Sequence, residues 1–287
     1  MCLFLCWRSR QAMSIATYVG VILTLWIGGS VLKPIEWVDR ASEQPLSVAL
    51  YQPNIPQEHK WDPAWYRPIL SQFENAIEDS YGHDIILWPE SAIPSPYYRA
   101  KDFLDAVAAR ASESDSTLIT GIPTRSADGQ SYYNSILSLG QGQGQYDKQR
   151  LVPFGEYVPL EGLLRGVNRF FDLPMSSFSL GAADQPLLTA KGQQIATAIC
   201  YEIAYPNLVA KTAATASIIL TVSNDAWFGR SMAPQQHMQM ARMRAIENAK
   251  PLVRGTNNGV TAMVNYRGEV EQQLDQFSTA ELSGTVK

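Results

Sequence analysis

From residue 11 to residue 32 the chain carries no charged side chain: QAMSIATYVGVILTLWIGGSVL. Coiled as a helix, this stretch reaches about 33 Å, enough to cross the hydrocarbon core of a bilayer. Arg8 and Arg10 precede it, while Lys33, Glu36, Asp39 and Arg40 follow. Basic residues dominate only on the N-terminal side, which predicts a cytoplasmic N-terminus and places everything after residue 32 outside. A cleaved signal peptide is the competing reading. The apolar region is long for one, and SVLKP (30–34) is a poor small-residue cleavage site.

Past this segment, residues 33–45 are mixed polar with Pro34 and Pro45 and read as a linker. From residue 46 the pattern turns to short apolar runs alternating with helical periodicity. Strands are predicted at 47–52, 84–90, 117–122, 132–139, 194–200, 217–223, 252–257 and 260–266. Helices are predicted over about 62–79, 99–112, 206–214 and 234–250, the first opened by an Asp62 cap with Pro63 behind it and kinked at Pro68. Strands that both alternate with helices and pair with each other predict a layered α/β fold. The expected boundaries are a cytoplasmic lead at 1–10, a membrane helix at 11–32, the linker at 33–45, one domain at 46–276 and a tail at 277–287. Residues 153–186, rich in Gly, Pro, Phe and Ser, have little periodicity and read as a functional loop.

Composition narrows the choice. The chain is 46% hydrophobic and 17% charged over 287 residues, ample for a sizeable core, and its net charge of -4 gives no reason to expect nucleic acid. Three cysteines, at 2, 6 and 200, make neither a disulfide framework nor a four-cysteine zinc site. Cys2 and Cys6, in a short apolar lead, are expected to have no catalytic role. His237 has no second histidine at metal-ligand spacing, so neither a metal nor a cofactor is expected.

Three segments carry candidate chemistry. In IATAICYEIAYP (195–206) a strand ends at Cys200 and a helical turn follows. Free amides of Tyr201 and Glu202 there would favour a thiolate and could serve an oxyanion. Taken alone, a cysteine is more often a small buried hydrophobe. In DIILWPESA (84–92), Pro89 suits a strand end and Glu90 would project at the sheet rim. By itself Glu90 reads as a solvated or capping carboxylate. In YDKQRLVPFGEYVPLE (146–161), Lys148 follows a strand-like stretch and by itself reads as surface charge. On the predicted helix at 234–250, Arg244 and Glu247 are spaced to pair and read, with Arg242, as structural.

Together the three segments resemble the nitrilase superfamily, whose members carry Glu, Lys and Cys in that order. The strings WPESAIP, KQRLVPFGEYVPLE, CYEIAYP, SNDAWFG and QQHMQMARMRAIENAKPLVRGTNNGVTA narrow the likeness to the apolipoprotein N-acyltransferase family. The resemblance implies an αββα sandwich behind a transmembrane helix, in the bacterial inner (plasma) membrane with the domain on the periplasmic side. It implies transfer of an acyl chain from a phospholipid to Cys200 as a thioester, then to the free amine of a diacylglyceryl-modified apolipoprotein. Glu90 would be general base. Lys148 would stay cationic and stabilise the oxyanion with the Tyr201 N–H. Glu156 would orient Lys148 or share the acid/base work, and Glu202 would be a positioning group. Trp227 and Phe228 would sit on a loop at the mouth, with ordinary packing an equal alternative.

The family has several membrane helices before the domain and one after it, so the resemblance further implies a fragment or a split gene. Two other readings stay open: a nitrilase-type amidase on a small C–N substrate, and an inactive membrane-anchored binding module. The apolar loop at 153–186 suits a lipid better than a small polar substrate.

Overall fold

The computed structural model describes residues 12–36, 44–153, 155–157 and 178–287. The expected lead at 1–10 with Cys2 and Cys6, most of the linker and most of the 153–186 loop therefore lie outside the described residues. The chain divides into two compact units after residue 41. In the first, helix α1 (Ala12–Leu32) contains a stretch, Ser14–Leu32, of mean hydropathy 1.9 with none of it buried. By length and composition it can cross a membrane.

The second unit is built on two six-stranded sheets. In the first, β1 (Leu46–Gln52), β2 (Ile85–Leu87) and β3 (Thr117–Arg125) run parallel. Next come β4 (Tyr132–Gly140) and β5 (Gln145–Asp147), both antiparallel to their neighbours. In the second sheet β7 (Gln193–Ile199), β8 (Ile218–Ser223) and β9 (Leu252–Thr256) run parallel. It is completed by β6 (Leu188–Ala190) on one side and by β10 (Ala262–Val264) and β11 (Val270–Gln273) on the other.

Alternation along the strands makes three layers of core. Val48, Leu50, Ile85, Leu87, Ile195, Ile199, Ile218, Leu220 and Val222 point between the sheets. Each such fully buried side chain contributes on the order of 1.5–3 kcal/mol. The opposite face of the first sheet, with Ile86, Trp88 and Leu118, is covered by α3 (Tyr66–Ala76) and α4 (Tyr97–Glu113) through Ile69, Phe73, Leu104 and Val107. On the second sheet small Ala196 and Ala198 let α5 (Pro206–Ala213) and α6 (Ala233–Asn248) pack close. The result is the expected αββα sandwich. The Asp62 carboxylate does accept from the Ala64 amide, but it opens a 3₁₀ turn (Pro63–Trp65) and α3 begins only after it, leaving Pro68 in its first turn. A four-residue helix, α2 (Gln57–Lys60), was not anticipated.

The expected tail at 277–287 is a correction. Residues Ala280–Val286 form β12, paired with β1 over its whole length from Leu46↔Val286 to Gln52↔Ala280. Leu282 and Val286 enter the core between the sheets. The inward position between them is Gly284, where an added Cβ would lie 2.9 Å from the Met263 sulfur. Alternation in the sequence is therefore hidden by a glycine at an inward-facing position.

The sheets also fix the turns at their rim. Gly121 of β3 donates its amide to the Pro89 carbonyl and accepts from the Ala92 amide. A Cβ there would lie 2.6 Å from the Pro89 oxygen and 2.7 Å from the Glu90 Cα, both backbone atoms that cannot rotate away. Gly121→Ala is therefore expected to destabilise the domain by about 1–3 kcal/mol, the usual range for overpacking. Denaturant unfolding of the two proteins checks this; equal midpoints would show that the 89–91 turn is not held by this contact.

Candidate active site

The chain leaves three parallel or edge strands at the same rim of the sandwich. Beyond β2, Pro89 interrupts the ladder and Ser91 turns back at φ 46°, leaving Glu90 on the turn. Lys148 directly follows β5, its amide donating to the Asn134 carbonyl and its own carbonyl accepting from the Gly181 amide. Cys200 directly follows β7 at φ 53° and opens a 3₁₀ turn, Cys200–Ala204. A fourth rim residue, Asp225 after β8, has φ 26°. Left-handed backbone at non-glycine residues costs about 1–3 kcal/mol each and persists only where the surroundings enforce it.

Glu90, Lys148 and Cys200 line one cavity of about 380 Å³, together with Glu156. The Lys148 ammonium, 1% exposed, lies 2.8 Å from Glu156 Oε1 and 3.5 Å from Glu90 Oε1. Asn134 of β4 donates its one side-chain amide to both carboxylates, at 2.8 Å each. Glu90 Oε2 accepts the Asn224 amide at 2.8 Å, and Glu156 Oε2 accepts the Val152 amide at 2.9 Å. Burial disfavours a charge on Lys148, yet Glu90, Cys200 and Glu156 outweigh it and hold its pKa above the ordinary lysine value. Lys148 is thereby favoured in its charged form.

The expectation of a resting thiolate is not met. Burial, reinforced by Glu90 and Asp225, pushes the Cys200 thiol up to about 12 against the opposing pull of Lys148 and Ser223. The sulfur therefore holds its proton at neutral pH.

Glu202, fully buried, ties the lysine segment to the cysteine turn. Its Oε1 accepts the Gln149 and Arg150 amides at 2.6 and 3.0 Å, and its Oε2 accepts the Ile199 amide at 2.8 Å and the Tyr146 hydroxyl at 3.0 Å. Burial raises its pKa, and the amide bonds with the Lys148 charge pull it back. Tyr201 is exposed, its ring edge-on to Tyr205. Trp227 and Phe228 line the cavity and are exposed, Trp227 by 62%, so ordinary core packing does not describe them. Trp61 and Phe178 add to the same apolar wall. Arg244 donates to Glu247 at 2.7 Å along α6, away from the cavity lining. Among the described residues no cluster of three or more His, Cys, Asp or Glu could hold a metal ion.

Sequence reasoning missed Asn134 and Lys60. Asn134 had a weak signal, the one side-chain amide in a predicted strand. Lys60 had none, because EHKW reads as surface. It is 1% exposed and donates to the Glu90 carbonyl at 3.1 Å and to Asn224 Oδ1 at 3.0 Å. Burial lowers its pKa to about 8 from 10.5, against the pull of Glu90. The folded state thus binds this proton less well than the unfolded chain does. The penalty is full below pH 8 and is relieved as pH rises towards 10.5. Relative to Lys60→Met, the wild-type protein is expected to gain about 2 kcal/mol of unfolding free energy between pH 7.5 and pH 10. Denaturant titrations of both proteins at the two pH values check this; parallel pH profiles would mean that Lys60 titrates as an exposed lysine does.

Comparison with known proteins identifies the family. The model of the carbon-nitrogen hydrolase family matches residues 47–286. An apolipoprotein N-acyltransferase of Pseudomonas aeruginosa is 49% identical over 273 residues, covering 93% of this chain and 53% of that protein. One from Vibrio cholerae is 45% identical over 274 residues, covering 92% and 54%. The chain thus spans about half the length of these curated relatives. Among solved structures, a carbon-nitrogen hydrolase from Helicobacter pylori superposes with a TM-score of 0.62 at 16% identity, covering 84% of this chain and 89% of that one. Nit3 of Saccharomyces cerevisiae, a nitrilase-superfamily member, gives 0.62 at 17%, covering 84% and 90%. These two likenesses concern the fold alone. With the family model spanning both sheets and every rim turn described above, the chain belongs to the carbon-nitrogen hydrolase family.

Proposed function

We propose that this chain carries the catalytic domain of a membrane-bound N-acyltransferase. It moves an acyl chain from a phospholipid, through a Cys200 thioester, to the N-terminal amine of a diacylglyceryl-modified apolipoprotein. The observation that carries the reading is the convergence of Glu90, Lys148 and Cys200 on one cavity with Trp61, Phe178, Trp227 and Phe228 in its wall. The relatives named apolipoprotein N-acyltransferase support the reaction, and the apolar helix α1 supports a membrane setting. The flanking charges orient residues 1–10 to the cytoplasm and the domain, from residue 46 through β12, to the outer side of the inner membrane.

In the first half-reaction Glu90 takes the proton of the neutral Cys200 thiol as sulfur attacks the ester carbonyl. Lys148 and the Tyr201 N–H stabilise the tetrahedral oxyanion. Collapse breaks the ester C–O bond, and the lysophospholipid alkoxide leaves with the proton from Glu90. In the second half the acceptor amine attacks the thioester, Glu90 receives its proton, and expulsion of the cysteine sulfur, which takes that proton back from Glu90, forms the amide and restores the neutral thiol. Glu156 holds Lys148 in line through the 2.8 Å ion pair, and Glu202 holds the lysine segment against the cysteine turn.

Incubation of the protein in membranes with a phospholipid radiolabelled in its acyl chain tests this. A hydroxylamine-sensitive label is expected on the wild-type chain and none on Cys200→Ala. Glu90→Gln is expected to slow labelling by about 10²–10⁴-fold, the range for loss of a general base. Undiminished labelling in that variant would remove Glu90 from the mechanism. Hydrolysis of simple amides without lipid label would replace the reading with an amidase, and neither signal would leave a binding module.

A further inference from the structure

Behind Cys200 stands a buried polar assembly that the reaction above does not use. His237 of α6 places Nε2 2.9 Å from the Cys200 carbonyl oxygen. Its Nδ1 lies 3.0 Å from Arg254 Nη2 and 3.2 Å from Asp225 Oδ1. Arg254 donates to Asp225 Oδ2 at 2.8 Å, and the Ser223 hydroxyl donates to Asp225 Oδ1. Burial works against the Asp225 charge, but Arg254, His237 and Ser223 outweigh it and hold that carboxyl well below the usual carboxylate range. Gly259 is part of the same construction, since a Cβ there would collide with the Asp225 carboxylate.

These contacts settle which ring nitrogen of His237 carries hydrogen. A guanidinium donates only, so a lone pair on Nδ1 facing Arg254 leaves the hydrogen on Nε2. The imidazolium, with its Nδ1 hydrogen directed at Asp225, also carries one on Nε2. The remaining tautomer would set an Nε2 lone pair against a carbonyl oxygen. In each permitted state the Nε2–H donates to the Cys200 carbonyl.

That carbonyl belongs to the same planar peptide unit as the Tyr201 N–H, which points the opposite way. Fixing one end of the unit aims the other, and a bond to the carbonyl also strengthens the N–H as a donor. Cys200 sits at φ 53° at the head of the 3₁₀ turn, a left-handed backbone value that persists only where the surroundings enforce it. We propose that His237, braced by Asp225 and Arg254, is a positioning residue that aims the Tyr201 N–H at the oxyanion formed on Cys200. The proposal rests on Cys200 being the acyl acceptor, but not on the acyl donor being a phospholipid.

The test uses the full chain in detergent with two probes. p-Nitrophenyl butyrate acylates Cys200 through an oxyanion, and iodoacetamide alkylates it by displacement without one. His237→Gln keeps an amide N–H near the Nε2 position, whereas His237→Asn reaches only the Nδ1 position. His237→Asn is expected to lower the acylation kcat by about 100-fold with KM unchanged, within the range for loss of an oxyanion donor, and to leave alkylation at the wild-type rate. His237→Gln is expected to stay within about 5-fold of wild type for both probes. Equal acylation in His237→Asn and wild type, or parallel loss of acylation and alkylation in a folded His237→Asn, would overturn the proposal. Should His237→Asn fail to fold, His237→Gln decides alone: acylation reduced about 100-fold with alkylation intact overturns it, and retention of both supports it. A wild-type ester burst that depends on Cys200, together with absent phospholipid labelling, would sink the lipid donor while leaving this proposal standing. No burst at all in the wild type would sink both.

Discussion

The site is organised around one buried ammonium held between two carboxylates. Removing Lys148 from water is expensive, and Glu156, Glu90 and the shared Asn134 amide make its charge tolerable there. One positive and two negative groups leave an excess of negative charge before sulfur takes part. Ionising Cys200 without moving the proton into the cluster would add a third negative group, which is why its thiol is held near 12. In the proposed mechanism, passing the proton to Glu90 keeps the charge of the cluster constant while creating the nucleophile. Glu90 in that mechanism thus both suppresses the resting thiolate and offers the route around that suppression. A cysteine arranged this way resists stray oxidation and alkylation better than a low-pKa thiol does.

Geometry at the rim follows from strands that end under constraint. Ser91, Cys200 and Asp225 all have positive φ, and all stand on turns at the rim beside the cavity. Each is braced from a different layer. Gly121 of β3 fits under the Glu90 turn, His237 of α6 reaches the Cys200 carbonyl, and Gly259 makes room for Asp225. Asn257 joins the two sheets above them, its side chain exchanging hydrogen bonds with the Ile55 backbone at 2.8 and 3.0 Å. Placement of the reacting groups is accordingly a property of the whole sandwich, not of the loops that carry them.

The central strands of both sheets were legible in the sequence as short, nearly continuous apolar runs bounded by turn residues, while the short or edge strands β5, β6, β11 and β12 were not predicted. Glu90, Lys148 and Cys200, each unremarkable alone, were legible because each stands at the end of a strand-like stretch and the three keep a recognisable order. What escaped was polar chemistry inside apolar surroundings. Lys60 sits in a string that looks solvated, and nothing local says that an Asn224 oxygen and a Glu90 carbonyl, both remote in sequence, will meet it. His237 was considered as a metal ligand, but its actual partners, Arg254, Asp225 and the Cys200 carbonyl, come from three other elements. The resting thiol escaped for the same reason, since its ionisation is governed by burial and by Glu90, contacts that only the tertiary structure creates. β12 escaped because Gly284 erases the alternation in the one place where it would have been visible.

Pairing of β12 with β1 joins residues from opposite ends of the domain, Leu46 to Val286. During synthesis, one edge of the first sheet stays open until the ribosome has released the closing strand. At about 5–20 residues per second, that interval is on the order of ten to fifty seconds. Through it, the hydrogen-bonding edge of β1 is exposed as a template for wrong partners. A nascent chain of this kind needs that edge shielded by a chaperone or by its own neighbouring segments, and truncation within β12 would leave a sheet that cannot close.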